Sequence, residues 1–156
     1  MLWFSDTVIF PAAMALLIVI AMFEMFRCLG LHRSLVLTLP FYPAGAVMPF
    51  CIRYLRGNVA LDYRDVALLV MALLLIYILA VVVMSRNTVN FTHAATVFAS
   101  AFYITFSFCG IVYLRDFDNQ YIYLLVFIGS WITDTFAYFT GRLFGRHKLI
   151  PDISPK

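Results

Sequence analysis

The sequence predicts an all-α, polytopic integral membrane protein with about five transmembrane helices. First, 64% of its residues are hydrophobic and 12% are charged, where soluble domains run about half apolar and a quarter charged. Second, the apolar residues fall into stretches near the roughly 20 residues that a helix needs to cross a bilayer core. Third, the ionisable residues gather between those stretches. At 156 residues the chain is one domain or part of one. The net charge of +3 is small and sits mainly at the ends of the stretches. It bears on topology and anionic lipid rather than on nucleic acid, and no basic stripe interleaved with aromatics occurs.

The first span is expected over 7–26, with Pro11 in an early turn where proline is tolerated. Asp6 ahead of it makes a poor signal peptide and a better uncleaved span. Glu24 and Arg27, spaced i, i+3, predict an interfacial ion pair at its end. The second stretch, 35–52, is interrupted by Pro40, Pro43, Gly45 and Pro49. It is either a kinked span or a re-entrant hairpin, since a broken helix needs protein or water around its freed backbone groups. The third, 66–84, holds no ionisable residue and is expected to face lipid. The fourth, 94–114, carries Ala95, Ala99, Ser100, Ala101, Thr105, Ser107 and Gly110, which suit close helix packing. The fifth is expected over 121–141. Together 1–141 read as a transmembrane bundle. Cys28, Cys51 and Cys109 show no metal or redox spacing and read as packing residues. The sequon at Asn90 is a weak match without further support.

The fifth span carries the chemistry. Asp134 is the one acidic residue well inside an apolar stretch. A charge there costs about 2.5–3.5 kcal/mol on insertion scales and marks a functional site by default. Trp131, Asp134, Tyr138 and Arg142 follow i, i+3, i+7, i+11, one face of a helix. Asp134 and Arg142 stand ~12 Å apart along the axis, too far for a direct ion pair and wide enough for a phosphate, a metal ion or water. Arg142, Arg146 and Lys148 then cluster just past the expected end of the helix. Two readings stay open: a positive-inside anchor, or an anion site. With the N-terminus outside, the inner segments hold Arg27, Arg33, Arg86, Arg142, Arg146, Lys148 and Lys156. The outer segments hold Arg53, Arg56, Arg64 and Arg115. That excess favours a cytoplasmic tail, and a re-entrant second stretch reverses it.

The tail also carries a dense motif. Asp134-Thr135-Phe136-Ala137-Tyr138, Gly141-Arg142-Leu143-Phe144-Gly145-Arg146-His147-Lys148-Leu149 and Ile153-Ser154-Pro155-Lys156 together resemble the phosphatidate cytidylyltransferase (CDP-diacylglycerol synthase) family. Glu24 after an aromatic resembles a family habit more weakly, and the middle spans match only in hydropathy. The resemblance implies that CTP and phosphatidate give CDP-diacylglycerol and diphosphate with Mg²⁺, in phospholipid biosynthesis. It implies Asp134 as metal ligand and, with Lys148, as catalytic. Arg142, Arg146, Lys148, Ser154 and Lys156 become the groups that bind substrate phosphate. The implied setting is a bacterial inner (plasma) membrane with the tail cytoplasmic, and a homodimer is compatible with it.

The sequence stops inside the motif, at Ser154-Pro155-Lys156. The family's H-G-G-x-x-D-R-x-D run is not in it. The expectation is therefore an N-terminal portion, with 142–156 the start of a cytoplasmic catalytic loop, inactive by itself. The competing reading is a non-catalytic membrane protein, such as a transporter half or a helix-packing subunit. The proline-broken second stretch favours it, because transporters use discontinuous helices.

Overall fold

The computed structural model describes residues 7–57, 62–85, 89–116 and 121–144. Among these residues the chain is helical throughout, without strands, as the apolar stretches require. The helices are α1 (Ile9–Cys28), α2 (Leu35–Thr38), α3 (Phe41–Leu55), α4 (Tyr63–Met84), α5 (Phe91–Arg115) and α6 (Ile122–Phe144). Counting α2 and α3 as one run, Leu35–Leu55, five are long and apolar enough to cross a membrane. The protein is an integral membrane protein of the all-α, polytopic class. Its chain divides into two units, Met1–Gln120 and Tyr121–Lys156.

In the first unit α1, α3 and α5 pack on one another. The face of α1 that bears Phe10, Met14, Ile18, Met22 and Phe26 is buried, at the i, i+4 repeat of a helical stripe. Pro11 sits in the first turn of α1, where its missing N–H costs no helical bond. The end of α1 is a closed turn. Gly30, at φ +71°, adopts the left-handed conformation that glycine enters without a Cβ penalty. The Gly30 N–H donates to the Arg27 carbonyl at 3.0 Å and the Leu31 N–H to the Phe26 carbonyl at 2.8 Å. This is a Schellman cap, and Phe26 and Leu31 are both buried beneath it.

The expected Glu24–Arg27 pair is not formed. Both residues are exposed at the end of α1, and among the described residues no ion pair joins them. Spacing permits an exposed pair, but two long side chains lose entropy on being held and gain little in return.

The second stretch is a broken helix. Its break falls at Leu39-Pro40, between α2 and α3. Pro40 has no N–H to donate to the Val36 carbonyl four residues back, and it serves as the N-cap of α3. Pro49 lies inside α3. It cannot donate to the carbonyl four residues back, on Gly45. Among the described glycines, Gly45 is the one with neighbours within 4 Å of an added Cβ. A Cβ built there would lie 2.7 Å from Met22 Cε, 2.9 Å from Ile18 Cγ2 and 3.1 Å from Thr105 Oγ1. Edge-on aromatic contacts fix the same layer: Phe26 against Tyr42 at 5.7 Å, and Phe41 against Phe98 at 6.3 Å.

α4 behaves as its uniform apolarity predicts. Ile78 is its one buried residue, and a face bearing Leu68, Leu69, Leu73, Ile76 and Val83 is exposed, left to a surrounding apolar medium. One polar tie holds it to the bundle, where the Tyr77 hydroxyl donates to the Val36 carbonyl. α5 departs from its reading. Ala94 and Ala101 are buried, but Ala95, Ala99 and Ser107 are exposed, so the small residues do not form one packed face. Ser100 and Ser107 turn their hydroxyls back to the Thr96 and Tyr103 carbonyls at 2.7 and 2.8 Å. Asn90, noted as a sequon, is the N-cap of α5 and accepts from the Thr92 N–H at 3.0 Å.

Cationic groups secure the far end of α5. Arg56, just past α3, donates through Nη1 to the Asp116 carbonyl at 2.7 Å and the Tyr113 carbonyl at 3.5 Å. Its guanidinium lies 4.5 Å from the centre of the Tyr113 ring. A cation placed on the orphan carbonyls of a helix C-terminus satisfies them and complements the helix dipole.

Candidate functional site

α6 carries the candidate site. The helix runs to Phe144, past the expected end at 141. Arg142 is therefore not beyond the helix but in its last turn, where a cation complements the dipole. Thr133 and Thr140 are absorbed into the backbone, donating to the Gly129 carbonyl at 2.8 Å and the Phe136 carbonyl at 2.6 Å. Hydroxyls spent this way do not perturb the apolar surface.

The i, i+3, i+7, i+11 face is real, because the helix is continuous from Trp131 to Arg142. Within it, Arg142 Nη1 donates to the Tyr138 hydroxyl at 3.1 Å. The spacing reading put both residues on one face without seeing that they would bond. Their i, i+4 separation was the available signal. Tyr138 also packs edge-on against its neighbour Phe139 at 5.6 Å, and both rings are exposed. Asp134 makes no hydrogen bond or ion pair among the described residues. The face thus presents a carboxylate and, two turns on, a cation held by a phenol.

Arg146, Lys148, Ser154 and Lys156 lie outside the described residues, so the expected phosphate-binding cluster is represented here by Arg142. Among the described residues no group of three His, Cys, Asp or Glu side chains converges. A metal at this face would find Asp134 and would draw its other ligands from elsewhere. One carboxylate with substrate oxygens is a donor set that Mg²⁺ commonly accepts.

The helices define a polytopic membrane protein that presents a carboxylate and a cation on one face near the end of a span. The sequence profile of the Cytidylyltransferase family matches residues 1–156, and the chain belongs to that family. It is similar to the phosphatidate cytidylyltransferase of Staphylococcus epidermidis, at 32% identity over 126 residues, which is 81% of this chain and 43% of that protein. The Staphylococcus saprophyticus protein of the same name is 37% identical over 99 residues, 64% of this chain and 36% of the relative. That of Staphylococcus haemolyticus is 41% identical over 78 residues, 50% of this chain and 30% of the relative. The chain spans less than half the length of the curated relatives it matches. No solved structure matches it. Nothing in the comparisons favours a transporter, and the broken second stretch that suggested one has a local cause in Pro40.

Proposed function

We propose that this chain serves phosphatidate cytidylyltransferase activity, the transfer of a cytidylyl group from CTP to phosphatidate in phospholipid synthesis. The observation that carries the reading is the α6 face. Asp134 and the Tyr138-held Arg142 share it, and it leads directly into the basic sequence Arg146, His147, Lys148. Names carried by relatives supply the reaction class, and the residue chemistry fits it.

In that reaction a phosphate oxygen of phosphatidate attacks the α-phosphorus of CTP. A new P–O bond forms, the bond from the α-phosphorus to the bridging oxygen breaks, and diphosphate leaves with the electron pair. Such chemistry asks the protein for alignment and for charge neutralisation at the transferring group. Arg142 presents a planar fork suited to phosphate oxygens, and the Tyr138 bond restricts its rotamers. Arg146, Lys148, Ser154 and Lys156 supply further donors, with Lys148 at the reacting phosphate. Mg²⁺, when bound, neutralises the triphosphate, and Asp134 is the residue of this chain that would hold it. A lipid phosphate lies at headgroup depth, where cations at the end of a span meet it. The positive-inside count favours the cytoplasm for that end, and the bacterial relatives favour an inner membrane with the tail on the CTP side.

The test is made in the full-length enzyme that contains this segment. Asp134→Asn, Arg142→Ala and Lys148→Ala are each expected to lower kcat/KM for CTP by about 100-fold or more, the scale on which a transition-state charge partner acts. Membrane insertion should be unchanged. Wild-type turnover in all three variants would leave the tail a topological anchor and refute the site.

A further inference from the structure

The first unit holds a groove that the catalytic reading does not use. It runs between α3, α4 and α5, with a volume of ≈ 520 Å³. Its walls are apolar almost throughout, with Gly45, Ala67, Ala101 and Gly110 making room along it. It opens sideways, since its lining residues Leu68, Phe102 and Phe106 are exposed. Phe102 and Phe106 stack at 5.8 Å to form one lip.

We propose that this groove holds one acyl chain of a membrane phospholipid, with the headgroup at the Arg56 end. The length of the groove and its sideways opening decide the occupant. The lining runs from Tyr63 to Leu74 on α4 and from Phe98 to Tyr113 on α5. At the helical rise these are ~16 and ~22 Å. The groove is thus ~20 Å long, apolar along its length and open sideways. In a bilayer that side is filled by acyl chains, and a polymethylene chain laid lengthwise gains dispersion contacts along both walls.

The ends fix the direction. Tyr63 and Tyr113 close one end with ring centres 6.2 Å apart. Arg56 lies over the Tyr113 ring and Arg64 beside the Tyr63 ring, 4.5 and 5.7 Å from their centres. Tyrosines with snorkelling arginines mark the membrane–water interface. The groove therefore begins at headgroup level and runs inward along α4 and α5. Left unfilled, its lining would forfeit dispersion contacts that a dense medium supplies.

Gly110 makes the proposal testable. It lines the groove, and a Cβ added there meets nothing within 4 Å, so a large side chain at 110 takes the space of the ligand rather than of the protein. The chain, purified in maltoside detergent, is titrated with dioleoylphosphatidylglycerol and read by native mass spectrometry. Wild type should retain one phospholipid. Gly110→Phe, and Ala67→Phe from the opposite wall, should each weaken retention by at least about tenfold, the loss of a few buried methylenes. Gly129→Phe on α6, where an added Cβ also meets open space, should retain lipid as wild type does. Circular dichroism confirms helicity in each variant, and Ala67→Phe carries the test if Gly110→Phe does not fold. Undiminished retention in the folded groove variants overturns the proposal. So does a lipid-free wild-type dimer, in which a second copy covers the groove. Neither outcome touches the cytidylyl-transfer reading, which is assayed separately.

Discussion

Replacing Gly45 by alanine should destabilise the bundle, although alanine is the better helix former. In an unhindered helix the change is worth roughly 1 kcal/mol in favour of alanine. At Gly45 the new methyl would sit 2.7 Å from Met22 Cε, 2.9 Å from Ile18 Cγ2 and 3.1 Å from Thr105 Oγ1. The methionine end can swing away at small cost. Ile18 cannot do so, because its Cγ2 is fixed by a stiff, β-branched χ1 and the residue is fully buried. Relief requires α1 or α5 to move off α3, and overpacking of this kind costs about 1–3 kcal/mol. The net expectation is zero to about 2 kcal/mol of destabilisation. Gly110→Ala is the internal control, because its added Cβ meets nothing within 4 Å. It keeps the propensity gain without the clash, so the two variants should differ by about 1–3 kcal/mol. The assay is unfolding of the detergent-solubilised protein by titration with dodecyl sulfate, followed by circular dichroism. A Gly45→Ala midpoint at or above that of Gly110→Ala would refute the close-packing argument.

Two further outcomes follow from the ends of α5, read by the same titration. Asn90→Ala should lose about 1 kcal/mol, because the Thr92 N–H loses the acceptor it bonds at 3.0 Å, and an unmoved midpoint would show that the cap contributes nothing. Arg56→Ala should lose about 2 kcal/mol, since it removes a charged donor from the Asp116 carbonyl at 2.7 Å and a cation from the Tyr113 ring at 4.5 Å. Arg56→Lys should fall between, keeping charge without the planar fork, and equal midpoints for the alanine and lysine variants would assign the effect to the fork alone.

Hydropathy was enough to read the fold class and the five long helices, because a bilayer leaves a spanning backbone few alternatives to the helix. It was not enough to read which face of each helix packs. In a soluble protein the apolar stripe marks the core, but here the exterior is apolar as well. α4 illustrates this: Leu68 and Leu69 are 64% and 60% exposed, while Ile78 in the same run of aliphatics is 3% exposed. α5 failed for the same reason, since its small residues fall on exposed and buried faces alike. Polar local devices were missed where the reading looked for something larger. Asn90 was weighed as a sequon and is a helix cap. Gly30, in the link between the first and second stretches, closes a Schellman turn that hydropathy does not show.

The candidate site was legible for a different reason. A charged residue inside an apolar run is costly enough to stand out against any background, and Asp134 does so without the structure. What spacing could not supply was the occupancy of the intervening turn. From Asp134 to Arg142 the sequence offers a gap of ~12 Å, which reads as room for a ligand. In the helix Tyr138 stands within that gap and takes Arg142 as its partner at 3.1 Å. The cation is thereby tethered from the side nearer Asp134, and the carboxylate keeps no partner among the described residues. Under the proposed function, a ligand at this face would meet a guanidinium and a carboxylate held apart, rather than a closed ion pair that it would first have to break. Its anionic oxygens would go to the cation and its metal ion to the carboxylate.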